Sequence, residues 1–234
     1  MKKFISPLLS APLIAAILVL TAAPAVNSQT AGLVSSTLTR MERAKRSLKS
    51  LRANISMQKY NAQLREPDTF SGVVLYIPGA ANSSAFLRLE WTKPQHEVLT
   101  VANGSYTLYR PRLSMAYVGK TGAIKSEKDS DVLSLVNMSA TQLRARFGDF
   151  EDAREETLWG GVHTYHFKAT PKTAASYSYI ELWVDDSGMP VQTKMVENNG
   201  DSTTVRLTDI DKNNNISMNE FVQKLDSSVK RVKG

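Results

Sequence analysis

Between Leu51 and Lys120 apolar and polar residues alternate with a period of two, the mark of strands with one buried face. "SLRANISMQKY" sets Leu51, Ala53, Ile55 and Met57 against polar neighbours, and Lys59 in the next apolar slot predicts that the strand ends there. "TFSGVVLYIPG" is apolar on both faces and reads as a more buried strand. "FLRLEW" is the clearest case: Leu87, Leu89 and Trp91 point one way, Arg88 and Glu90 the other. "EVLTVA", the Asn103-Gly104 turn, "YTLYRP" and "LSMAYVGK" continue an antiparallel meander. Residues 31–50 instead keep a helical period, with Val34, Leu38, Met41 and Leu48 on one face and Arg40, Arg43, Lys45, Arg46 and Lys49 on the other.

From Asp131 to Phe147 the period changes again. Leu133, Leu135, Val136, Met138 and Leu143 predict one or two short helices, with Ser139 as a cap before "ATQLRARF". The acidic run from Glu151 to Glu156 reads as an exposed charged loop. Strands resume with "VHTYHFKAT", "YSYIELWVD", "MPVQTKMVEN" and "STTVRLTDI", separated by turns at Asp186-Ser187-Gly188 and Asn199-Gly200. Helix, strands, short helices and strands, with no repeat and no βαβ rhythm, predict an α+β fold: a curved antiparallel sheet with helices against one face.

The first 28 residues read as an export signal, with Lys2 and Lys3, the apolar run Leu13 to Leu20 and small residues before Gln29. A retained anchor is the competing reading, although Pro7, Pro12 and Pro24 interrupt the run. Cleavage would leave one domain over residues 29–234. The chain has no cysteine, which removes disulfides and cysteine-linked lipid alike, so its core alone must hold the fold. A formal charge of +7, two units of it from Lys2 and Lys3, favours anionic surfaces weakly. The basic helix face carries no interleaved aromatics, so nucleic acid is not an expected partner.

Material for catalysis is thin. His163 and His166 lie three apart on a strand and face opposite sides, so they cannot share a metal, and His96 sits in a loop after Lys93-Pro94. There is no nucleophile elbow, P-loop or cysteine, and no cofactor is implied. "DIDKNNNISMNEF" does match a calcium loop: Asp209, Asp211 and Asn213 at positions 1, 3 and 5, the carbonyl of Asn215 at 7, and Glu220 at 12. An EF-hand needs an entering helix, whereas "TTVRLT" alternates like a strand. A polar turn is therefore the favoured reading, and a calcium module stays open as an alternative.

What remains is apolar surface. Leu87, Leu89, Trp91, Leu108, Met115, Ile180, Leu182 and Val184 share strand parity, and eight methionines add adaptable contact. Such residues form either a filled core or the wall of a cavity.

At these positions the chain resembles the LolA-type outer-membrane lipoprotein carriers and sorting proteins. The likeness rests on the N-terminal helix leading into "LRANISMQ", on "FLRLEWTKPQHEVLTVANGSYTLYRP" and on "IELWVDDSGMPVQTKMVENNGDSTTVRLTDI". It implies an incomplete, strongly curved antiparallel half-barrel with helices covering its open apolar side. It also implies a non-enzymatic, monomeric periplasmic carrier of acylated lipoproteins or lipids, with transient membrane contact. Its partners would be an inner-membrane release complex and an outer-membrane acceptor. On this resemblance the eight residues above line the acyl cavity, and Leu133, Val136 and Leu143 belong to the lid. The same fold used as a lipid- or protein-sensing regulatory module is the alternative. The arginine that helps hold the family's lid closed has its place near Ser83, so any lock here is absent or made differently.

Overall fold

The computed structural model describes residues 26–79, 84–124 and 127–234. The expected export signal, except its last three residues, and the Ser83 position lie outside these. Helix α1 (Val26–Ser47) leads into the meander β1 (Leu51–Asn61), β2 (Glu66–Ile77), β3 (Phe86–Lys93), β4 (Glu97–Ala102), β5 (Ser105–Arg110) and β6 (Met115–Lys120). Helices α2 (Glu127–Asn137) and α3 (Ala140–Arg146) follow. A second meander comprises β7 (Phe147–Leu158), β8 (Val162–Pro171), β9 (Tyr177–Asp185), β10 (Pro190–Glu197) and β11 (Ser202–Lys212), and β12 (Lys230–Lys233) ends the chain.

All twelve described strands join one sheet in the order β12-β6-β5-β4-β3-β2-β1-β11-β10-β9-β8-β7. The two meanders are spliced where β1 pairs with β11, Ile55 opposite Leu207 and Met57 opposite Val205. Every pairing is antiparallel except β12 with β6. Among the described residues the curved sheet does not close, leaving β7 and β12 as its edges and giving a half-barrel. Gly72 helps β2 and β3 come close: a Cβ there would lie 2.2 Å from the Glu90 carbonyl oxygen.

Alternation then sorts the side chains. β1 is buried at every second residue from Leu51 to Met57, and on β3 Leu87, Leu89 and Trp91 are sealed. The strand does not stop at Lys59 but continues to Asn61, because its backbone still has partners in β2 and β11.

The acidic run is not a loop. Glu151 to Glu156 lies within β7, an edge strand with irregular register against β8 between Phe147 and Phe150 and between Glu151 and Arg154. These bulges turn a spacing of three into one face, so Phe147, Phe150 and Ala153 all pack toward the helices. The acidic residues are left on an edge where charge discourages pairing with another chain.

After β11 the chain crosses the face opposite the helices. Ile216 and Phe221 cover Leu75 there, with Phe221 5.8 Å from the Phe86 ring. Arg88, pointing away from Leu87 and Leu89, pairs with Glu90 at 2.8 Å and donates to the Glu220 carbonyl.

Candidate functional site

The concave face carries two apolar clusters under different helices. Val132, Leu135 and Val136 of α2 pack on Leu51, Tyr76, Leu87, Leu89 and Trp91. Val34, Leu38 and Met41 of α1, with Ala140 and Leu143 of α3, pack on Phe167, Ile180, Leu182 and Val184. α3 is set by a capping box: Ser139 Oγ accepts the Gln142 N–H while Gln142 Oε1 accepts the Ser139 N–H.

Between the clusters the packing opens. A cleft of about 110 Å³ runs between α2, α3 and strands β9 to β11, with Leu135, Met138, Phe147, Ile180, Met195 and Val205 on its walls. A hollow of about 270 Å³ between α2 and α3 adjoins it through Ser134, Met138, Arg146 and Phe147. Pockets that enclose drug-sized ligands occupy roughly 300–1,000 Å³. The cleft, whose walls also carry Asp131, Arg146 and Lys194, falls below that range, so a drug-sized or longer ligand needs the helices to move.

Polar contacts decide how easily they move. Trp91 Nε1 donates to Asp129 Oδ1 of α2 at 2.9 Å, and Asp129 is fully buried. Lys128 pairs with Glu97, which also pairs with Arg110 at 3.0 Å. The far end of α2 is held at Asn137: Tyr76 Oη donates to its Oδ1 at 2.5 Å and Lys45 Nζ to its carbonyl at 2.8 Å. Burial pushes the Tyr76 hydroxyl up to about 12, so it remains a donor at neutral pH. Burial also lowers the Lys45 ammonium, a sign that its charge is held at some cost. Helices α1 and α3 are joined by Glu42, whose Oε1 accepts the Thr141 N–H at 2.8 Å and hydroxyl at 2.9 Å. The Thr141 N–H is the main reason that carboxyl titrates below its ordinary value.

The grouped residues divide accordingly. Leu87, Leu89, Trp91 and Leu108 belong to the cluster that α2 joins, and Leu182 and Val184 to the one that α1 and α3 join; all are buried. Met115 is half-buried near the sheet edge. Of the eight, Ile180 lines the open cleft. Val136 of α2 and Leu143 of α3 are buried, and Leu133 is half-buried against the first cluster. Met195 and Val205 stand on predicted strands, yet nothing in the sequence singles them out as cleft wall. Asp129 was not foreseen, since its partner Trp91 lies 38 residues away.

The 209–220 loop spends its polar groups on the protein itself. Asp209 Oδ2 accepts from Asn54 at 2.7 Å, Asp211 Oδ1 accepts from Asn214, and Asn213 Oδ1 accepts the Lys49 N–H at 2.7 Å. Glu220 belongs to the 3-10 turn Met218–Phe221, which packs across β3 and β4 rather than closing the loop. Among the described residues no group of three or more acidic, histidine or cysteine side chains is gathered as for a metal. His166 is buried against Trp183 and Glu181, whereas His163 meets Asp186 at 2.8 Å.

The family described as "Outer membrane lipoprotein carrier protein LolA" matches residues 84–224, more than half of the chain. Similar solved structures include the Pseudomonas aeruginosa MucA/MucB complex, 15% identical, with a TM-score of 0.50 over 81% of this chain and 60% of that one. This chain thus spans about three fifths of that relative. An uncharacterized conserved protein from Thermus thermophilus is 10% identical, with a TM-score of 0.54 over 86% and 99% of the two chains. LprF from Mycobacterium bovis is also 10% identical, with a TM-score of 0.50 over 78% and 94%. At such identities the likeness concerns the fold alone. No curated protein matches the sequence.

Proposed function

Because the chain belongs to the LolA family of outer membrane lipoprotein carrier proteins, we propose that it is a periplasmic carrier of lipoprotein acyl chains. It takes the chains between helices and sheet, without catalysis, and ferries them toward the outer membrane. The observation that carries this reading is the cleft at Ile180, Met195 and Val205, lying between the two apolar clusters on which the helices rest. An acyl chain entering there leaves water at about 0.8 kcal/mol per methylene, enough for three long chains to repay displacement of a lid. The walls are partly methionine, which adapts to chains of different length.

Uptake begins when α2 and α3 swing from the sheet and extend the cleft along the two clusters; reclosure shields the cargo. In this reading the protein is loaded from an inner-membrane complex and releases its cargo to an outer-membrane acceptor. The described residues hold no helix long and apolar enough to cross a membrane. Displacement of a fluorescent fatty acid tests the reading: a triacylated lipopeptide should compete and its unacylated form should not. Equal competition by both, or by neither, would remove it.

A second reading is favoured by the likeness to the MucA/MucB complex, in which a LolA-fold chain is seen with a protein partner. It would make this chain a sensing module. Transfer of bound lipopeptide from the protein to acceptor vesicles separates the two, since a sensor binds without delivering.

A further inference from the structure

The two free edges of the sheet are charged in opposite ways. On β7 the acidic residues are largely compensated: Arg154 pairs with Asp152 and Glu156, and Lys168 with Glu151 at 3.5 Å. The β6–β12 edge has no such compensation. Arg112, Lys120, Lys224, Lys230, Arg231 and Lys233 are all exposed there, and none forms an ion pair with a described residue. Asp226 is the single acidic residue between Val222 and Gly234.

These cations sit on a fixed frame. Lys230 N–H donates to the Ser114 carbonyl at 2.9 Å and Gly234 N–H to that of Val118 at 3.0 Å, bringing Arg231 beside Ala116 and Lys233 beside Val118. Apolar side chains stand among them: Leu113, Val118 and Val222 are 55%, 37% and 59% exposed. Between the crossing segment and the edge runs a groove of about 440 Å³, lined by Val118, Leu225, Arg231, Val232 and Lys233.

We infer that this edge is a docking surface for the anionic phospholipid headgroups of a bilayer. Unpaired lysines and arginines meet the phosphates, while Leu113, Val118 and Val222 reach the apolar layer beneath. A soluble polyanion would satisfy the cations and leave those three in water. The inference deepens the carrier reading by naming the surface that meets the membrane, but its test does not depend on cargo.

The full-length chain is mixed with vesicles of phosphatidylcholine alone and with about a third phosphatidylglycerol, and co-sedimentation is measured. The gain due to phosphatidylglycerol is the readout, which cancels any contribution of the apolar run 13–20. Each cation near an anionic surface is worth about fivefold in partitioning, so K230Q/R231Q/K233Q should reduce that gain about 100-fold. The charge-matched R43Q/R46Q/K49Q on α1 should keep it, and L113S/V222S should lower binding with the cations intact. Equal losses from both triple variants, or no gain with phosphatidylglycerol, would overturn the inference. So would capture of the chain by heparin together with indifference to vesicles. Fatty-acid binding, measured without vesicles, stands or falls separately.

Discussion

Replacing Trp91 with phenylalanine removes one of the polar contacts that tie α2 to the sheet, leaving Lys128–Glu97 and Tyr76–Asn137 in place. The Trp91 indole is the donor that Asp129 accepts at 2.9 Å, inside a site closed to solvent. A hydrogen bond to a charged group is worth about 1.5–3 kcal/mol, and its loss leaves a buried carboxylate short of one donor. Taking about 2 kcal/mol, the open form of the lid gains roughly 30-fold in population. A cargo that binds the open form then gains apparent affinity by the same factor while the closed form still dominates. Asp129→Asn keeps an acceptor oxygen but makes the bond neutral, so its effect should be smaller, about fivefold. The assay pairs amide exchange of residues 127–137 with lipopeptide binding, using α3 exchange and melting temperature as controls. Faster exchange confined to α2, with affinity ordered W91F above D129N above wild type, is expected. Unchanged α2 exchange in W91F, or an affinity that merely falls with global stability, would refute the reasoning.

Leu89→Glu and Ile180→Glu should separate core from cleft: the first buries a charge in a sealed cluster and should cost at least about 4 kcal/mol or the fold itself. The second, 8% exposed at the cleft wall, should cost less stability than the first and lower lipopeptide binding by at least about tenfold. The Glu42 clamp should be fully present above the unfolded carboxylate value of 4.5 and lost as pH falls through its lowered folded value. Melting between neutral and acid pH should show this loss, under about 1 kcal/mol for so exposed a group, and Glu42→Gln should abolish that component. Gly188→Ala should destabilise by about 3 kcal/mol in denaturant melts, since a Cβ at φ +87 would lie 2.4 Å from the Arg40 carbonyl oxygen under α1.

The strands with one wet face were legible because their environment alternates as their side chains do. "FLRLEW" has that property from Leu87 to Trp91, and Ser139 announced α3 through local capping chemistry. The β7 strand was not legible, because its bulges space Phe147, Phe150 and Ala153 as a helix would and most of its remaining residues are charged. β12 was missed for another reason: "KRVK" has no apolar face and gains its order from β6, more than a hundred residues earlier. Parity grouped Leu89 with Ile180, yet only three-dimensional packing distinguishes a residue sealed under α2 from one at a gap between α2 and α3.

Native mass spectrometry of the protein with a triacylated lipopeptide, beside the unacylated peptide, tests the central claim most directly. A one-to-one complex with the acylated form alone, lost in Ile180→Glu, is expected. Binding of neither form, with no co-purifying lipid, would contradict it and leave a filled core whose partners are proteins.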